Sequence, residues 1–191
     1  MLMCFDLGEI LVRVSPNWST ALGRVVDEGD WSDLERDHQT GHLDRDGFLA
    51  AMARRLHASA EEVAAAHDGW IEGEMEGAAS LLVDLKAAGH TTACLSNTCA
   101  CHWDEMQRWP IFRHIDFPHA SHLLGAFKPD GKIYEAFARA VPSAAGDIMF
   151  FDDRRPNIEA AAALGWQAMH VPVGTPPIPR IRQMLGSSGL L

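Results

Sequence analysis

Short apolar runs alternate with amphipathic stretches through most of this chain. Residues 1–6 (MLMCFD) read as a buried strand, and similar runs recur at 90–96 (HTTACLS), around 115–121, at 147–152 (DIMFFD) and at 167–171 (QAMHV). Between them the spacing predicts helices. One covers 76–88 and closes on Gly89, a second covers 131–140 behind a cap at Asp130, and a third opens at Pro156 and ends at Gly165. Strand and helix in alternation predict an α/β fold with a parallel sheet and crossover helices. Residues 16–74 differ, because they carry helical patterns and no convincing strand. Leu34, Phe48, Leu49, Met52 and Leu56 supply apolar helical spacing, and Ser59 with Glu62 fits a capping box. The expected organisation is therefore a core of residues 1–15 and 75–191 interrupted by a helical insertion at 16–74. The GTPPIP stretch at 174–179 reads as a loop before a short terminal helix.

Composition narrows the partners. A chain of 191 residues suits one compact core with a modest insertion. Its net charge of −10 is spread without a basic cluster, which argues against nucleic acid or an anionic membrane surface as partner. No apolar stretch approaches the length of a membrane span, and the segment before Asp6 is too short for a secretory signal, so a cytoplasmic location is expected. No protein partner is evident, and a small molecule is the expected ligand. Cys4 and Cys94 lie in apolar runs as buried reduced thiols.

Polar residues collect where the predicted strands end. Ligands of an open parallel sheet gather at the carboxyl ends of its strands, and Asp6, Ser96 with Asn97, and Asp152 with Asp153 all fall there. Lys128 sits in the loop before the 131–140 helix. The set offers a carboxylate to react, two more for a hard cation, a hydroxyl and an amide for oxygen atoms, and an ammonium to neutralise charge. These are the parts of a phosphoryl-transfer site, and Mg2+ suits them because it takes oxygen ligands and few protein carboxylates.

The segments FDLGEIL, LSNT, FKPDGKIY and FFDDRRPNIEAA, in this order from Phe5 to Ala161, resemble the four motifs of the haloacid dehalogenase (HAD) superfamily. They are most similar to those of small phosphatases such as the bacterial glucose-1-phosphate phosphatases. The resemblance implies a Rossmann-like core with a helical C1 cap, and hydrolysis of a small phosphorylated metabolite, a sugar phosphate among the candidates. It makes Asp6 the nucleophile that forms an aspartyl-phosphate. Asp6, the Gly8 carbonyl and Asp153 would hold Mg2+, with Asp152 orienting bound water or backing Lys128. Ser96 and the amides around Asn97 would hold phosphoryl oxygens, Lys128 would offset charge, and Asn157 would brace the loop.

At position 8 the chain departs from the commoner pattern, which has an aspartate there to protonate the leaving group and activate water. Glycine keeps the carbonyl and loses the proton carrier, a loss of about 10²–10⁴ in rate for a general acid or base. Glu9, the nearest spare carboxylate, stands where the common pattern has glycine. Two other readings follow: a dehalogenase, which needs no metal and usually carries an aromatic residue in place of Gly8, and a domain that kept the pocket without the activity. Glu9, Trp18 and His102 are candidates for the substrate pocket. Cys99, Cys101 and His102 suggest zinc, but the spacing lacks C-x₂-C and no fourth ligand is in sight.

Overall fold

A computed structural model describes residues 1–26 and 31–191; residues 27–30 of the insertion lie outside the described residues. Five strands form one parallel sheet: β1 (Leu2–Phe5), β4 (Thr91–Ser96), β5 (Phe117–Ala120), β6 (Ile148–Asp152) and β7 (Gln167–His170), in the order β5-β4-β1-β6-β7. All four residues of β1 are buried, as a central parallel strand covered on both faces requires. Alternation splits it between two cores. Met3 and Phe5 join Cys94, Met149 and Phe151 beneath α5 (Ala78–Ala87) and α10 (Pro177–Ser187). Leu2 and Cys4 join Leu95 and Phe150 beneath α8 (Gly131–Ala140) and α9 (Arg155–Ala163).

The predicted end signals act as expected. Asp130 caps α8 by accepting from the Lys132 amide at 3.0 Å, and Gly89 takes the left-handed conformation (φ 84°) just past α5. The GTPPIP stretch is only partly loop, because α10 begins at Pro177. Prolines fit the first helical turn, whose amides have no helical acceptor, so this composition does not exclude helix.

Among the described residues the interrupting segment holds four helices: α1 (Trp18–Ala21), α2 (Ser32–Gln39), α3 (Arg45–Leu56) and α4 (Ala60–Asp68). Phe48, Leu49, Met52, Leu56 and Val63 form its own apolar centre, and Ser59 and Glu62 complete the capping box of α4. The expectation of no strand within residues 16–74 fails at one place. Residues Ile71–Glu74 form β3, antiparallel to β2 (Val12–Val14). The sequence IEGE has no strand character of its own, and pairing with VRV makes it extended. This ribbon joins the helical segment to the core beside the carboxyl end of β1.

Candidate active site

Asp6 follows β1 directly, its amide donating to the Phe151 carbonyl at 2.9 Å and so continuing the sheet. The chain then turns sharply. The Leu7 carbonyl accepts from the amides of Ile10, Leu11 and Val12 at 3.2, 2.8 and 2.8 Å, and Glu9 sits at φ 59°. That left-handed geometry costs a non-glycine residue about 1–2 kcal/mol; it is the position where the common motif has glycine. Gly8 itself lies outside the left-handed region, and a Cβ there would meet only the Val14 methyls at 3.8 Å, an ordinary contact.

The carboxylate of Asp6 accepts from the Leu7 amide at 2.7 Å and pairs with the Lys128 ammonium at 3.1 Å, both on Oδ1. Lys128 is 1% exposed and makes a second ion pair, at 2.7 Å, to Asp152 Oδ2. Burial opposes its charge, but Asp152 and Asp6 outweigh that and hold the ammonium above its ordinary value. Asn97 fixes this lysine through the backbone, its Oδ1 accepting from the Lys128 amide at 2.8 Å and its Nδ2 donating to the Lys128 carbonyl at 2.9 Å. Ser96, at the end of β4, is buried on the wall of the same cleft.

Asp152 ends β6 and Asp153 follows it, and the two have different surroundings. Asp152 is fully buried and engaged on both oxygens: Oδ1 accepts from the Arg154 amide (2.8 Å) and Asn157 Nδ2 (2.9 Å), Oδ2 from Lys128 and again from Asn157 (3.0 Å). Asp153 instead lines the cleft with Asp6, Gly8 and Glu9. One carboxylate oxygen from each of Asp6, Asp152 and Asp153 lies within 4.8 Å of the others. Burial, followed by the neighbouring carboxylates and against the pull of Lys128, pushes Asp6 up to about 7; burial and Asp152 raise Asp153. Three carboxylates around one buried ammonium leave negative charge in excess, and all the free donors are hard oxygen, so the residues fit a divalent cation such as Mg2+.

The cleft has a volume of about 230 Å³. His102 lines it, but its Nε2–H donates to the His67 carbonyl at 2.8 Å, and burial followed by His67 pushes its pKa down to about 4. It is therefore neutral at pH 7 and does not replace the missing acid. Trp18 does not line this cleft; it is 3% exposed, tilted against Trp70 and Phe48, and lines a smaller cavity that shares Glu35, Gln39, Trp70 and His102 with the cleft. Sequence reasoning missed Glu35 and Gln39 of α2, Trp70 and Arg154, which complete the walls; their approach depends on how the helical segment docks, which no local pattern encodes.

Comparison with known proteins gives these features a context. The sequence is 26% identical to sesquiterpene phosphatase astK of Aspergillus oryzae, over 95% of each chain. It is also 26% identical to drimenol cyclase drtB of Aspergillus calidoustus, covering 87% of this chain and 33% of that protein. Among solved structures, a predicted HAD-like family hydrolase from Porphyromonas gingivalis superposes with a TM-score of 0.77 at 21% identity, covering 96% of this chain and 97% of the other. A HAD family enzyme from Bacteroides thetaiotaomicron, in complex with magnesium, does so with 0.77 at 17% identity, covering 91% and 93%. Residues 1–165 match the haloacid dehalogenase-like hydrolase family, and with 165 of 191 residues matched the chain belongs to it.

Proposed function

We propose that this hydrolase is a magnesium-dependent phosphatase that works through an aspartyl-phosphate on Asp6. One observation carries the reading: a buried carboxylate, Asp6, is held on one oxygen by the Leu7 amide and Lys128, while two further carboxylates surround it. One oxygen of the Asp6 carboxylate then attacks phosphorus, and the other would face Mg2+. The bond from phosphorus to the ester oxygen breaks, the leaving oxygen departs with the electron pair, and water takes up the role of proton donor. In the second step water attacks phosphorus, the bond to Asp6 breaks, and inorganic phosphate leaves. Ser96 and backbone amides after β4 hold the equatorial oxygens, and Lys128 offsets charge on Asp6 and on the phosphoryl group. Asp6, the Gly8 carbonyl and Asp153 would hold Mg2+, which neutralises the oxygens of the transferring group when bound. Asp152, engaged on both oxygens, is the positioning residue that fixes Lys128.

The substrate is a phosphorylated small molecule with an apolar body. Val12, Val14, Trp70, Ile71, Met106 and Phe127 line the cleft together with the acids, and the resemblance to a sesquiterpene phosphatase points the same way. A sugar phosphate is the second reading, favoured by Glu35 and Gln39 on the rim. A panel of isoprenoid, aryl and sugar phosphates decides between them: the first reading expects a lower KM for apolar esters than for sugar phosphates of equal leaving-group pKa.

Metal dependence is the direct test. Turnover of an aryl phosphate is expected to vanish on chelation and return with Mg2+; turnover that persists after exhaustive chelation removes the reading and favours the metal-free dehalogenase type. The pKa of Asp6 adds a signature. Its folded, cation-free value of about 7 lies above the ordinary 3.8, so its contribution to stability is full below the unfolded pKa and is lost as pH rises through about 7. A cation relieves that loss. The rise in Tm on adding Mg2+ is therefore expected to be small at about pH 5 and to grow towards about pH 8.

A further inference from the structure

Beside the active-site cleft, four side chains converge that the proposed reaction does not use. His38 of α2 and His67 of α4 come from the helical segment; Cys99 and Cys101 come from the core, at the start of α6 (Ala100–Met106) just after Ser96. His38 Nε2 lies 3.2 Å from His67 Nε2, Cys99 Sγ lies 3.3 Å from Cys101 Sγ and 3.9 Å from His67 Nε2, and all four ligand atoms lie within 4.8 Å of one another. Tetrahedral zinc bonds of about 2.0–2.1 Å to nitrogen and 2.3 Å to sulfur give edges of about 3.3 Å between nitrogens, 3.8 Å between sulfurs and 3.6 Å between the two kinds. The nitrogen pair stands 0.1 Å inside its edge, the nitrogen–sulfur pair 0.3 Å beyond and the sulfur pair 0.5 Å inside, and the remaining pairs lie within 4.8 Å, so small side-chain shifts bring all four onto one ion.

The outer contacts of the histidines fix which nitrogen is free. His38 Nδ1 lies 2.9 Å from the Leu43 carbonyl, and His67 Nδ1 lies 3.3 Å from the Asp68 carboxylate. Both acceptors require a proton on Nδ1, so in the neutral rings each Nε2 presents a lone pair to the other. Two facing lone pairs repel unless a proton or a metal ion stands between them, and the two nearby sulfurs suit a metal ion. Asp68 is itself clamped by Arg45 Nη2 at 2.6 and 2.7 Å, the carboxylate–histidine arrangement that orients zinc ligands. His38 stacks on Phe48 at 4.3 Å and His67 on His102 at 4.3 Å, so both rings are held in place without the ion.

We propose that His38, His67, Cys99 and Cys101 form a closed, tetrahedral zinc site that staples the helical segment to the core beside the active site. Two nitrogens and two sulfurs select a borderline-soft ion over Mg2+, and four protein ligands leave no position for substrate. The site is distinct from the Asp6 and Asp153 cluster, which offers only oxygen. The ligands absent from the CACH segment are therefore the two histidines of the insertion, and His102 acts as a buttress, not a ligand.

Metal analysis of the full-length chain, prepared without a histidine tag and exchanged into magnesium buffer, tests this. About one zinc per chain is expected, and Cys99→Ser with Cys101→Ser should lose it while Asp153→Asn keeps it. Because the double variant could lose its fold, the wild-type protein loaded with Co2+ supplies a second readout. Intense ligand-field bands in the red and a thiolate charge-transfer band in the near ultraviolet are expected. Zinc should also protect two thiols from alkylation. Failure to bind zinc, a weak spectrum of octahedral oxygen coordination, or thiols that react at the same rate with and without zinc would each overturn the proposal. These readouts do not involve turnover, so they stand or fall apart from the phosphatase reading.

Discussion

Asp6→Asn is expected to reduce turnover by a factor on the order of 10⁴–10⁶, the scale seen when a nucleophile is removed, while leaving the fold intact. The amide has the shape of the carboxylate, and its oxygen still accepts from the Leu7 amide and from Lys128, now at 2.7 and 3.1 Å on Oδ1. It cannot form the acyl phosphate. Stability should not suffer, because burial disfavours the charged form of Asp6. Without Mg2+ at about pH 8, the variant's Tm should equal or exceed that of the parent. Kinetics with an aryl phosphate and a thermal melt check both halves. Near-normal kcat would end the covalent mechanism; lost activity with a lowered Tm would trace the defect to folding.

Gly8→Asp is expected to act in the opposite sense, raising kcat/KM for alkyl phosphates by about 10²–10⁴, the usual worth of a positioned general acid. The structure removes the main objection to this substitution. Gly8 does not occupy the left-handed region, and a Cβ there meets only Val14 methyls at 3.8 Å. With glycine, no side chain at position 8 protonates the departing oxygen, so kcat/KM should depend steeply on leaving-group pKa and aryl phosphates should outrun alkyl ones. With aspartate the slope should flatten. A flat slope in the unmodified protein would reveal another proton donor. Glu9 is the residue to examine then, since burial, Asp153 and Glu72 raise its carboxyl and it shares the cleft; Glu9→Gln would turn a flat line steep if it serves.

Much of this arrangement is legible in the sequence, for identifiable reasons. The central strands β1, β4 and β6 are largely apolar runs buried on both faces, so their positions and their polar carboxyl ends can be read locally, and Asp6, Ser96 and Asp153 fall out together with Lys128 in its loop. Other features depend on distant partners. Ile71–Glu74 is a strand because Val12–Val14 lies beside it. Trp18 is drawn into the interior of the helical segment by Phe48 and Trp70. Asn97 carries its side chain to the backbone of Lys128, a contact with no signature in LSNT. The cysteines look incomplete in sequence because their partner histidines arrive on helices from the insertion, and only the docking of α2 and α4 on α6 brings the four together.

The same missing proton carrier that slows the first step slows the second, because no side chain at position 8 activates water. The aspartyl-phosphate should therefore accumulate when the leaving group is good. Rapid acid quench during turnover of an aryl phosphate with Mg2+, followed by peptide mass analysis, is the most direct measurement of the account. It predicts one phosphoryl group on the peptide that contains Asp6 and none on that peptide in Asp6→Asn. Continuing turnover with no phosphoryl group on Asp6, or with the group on another residue, would contradict it.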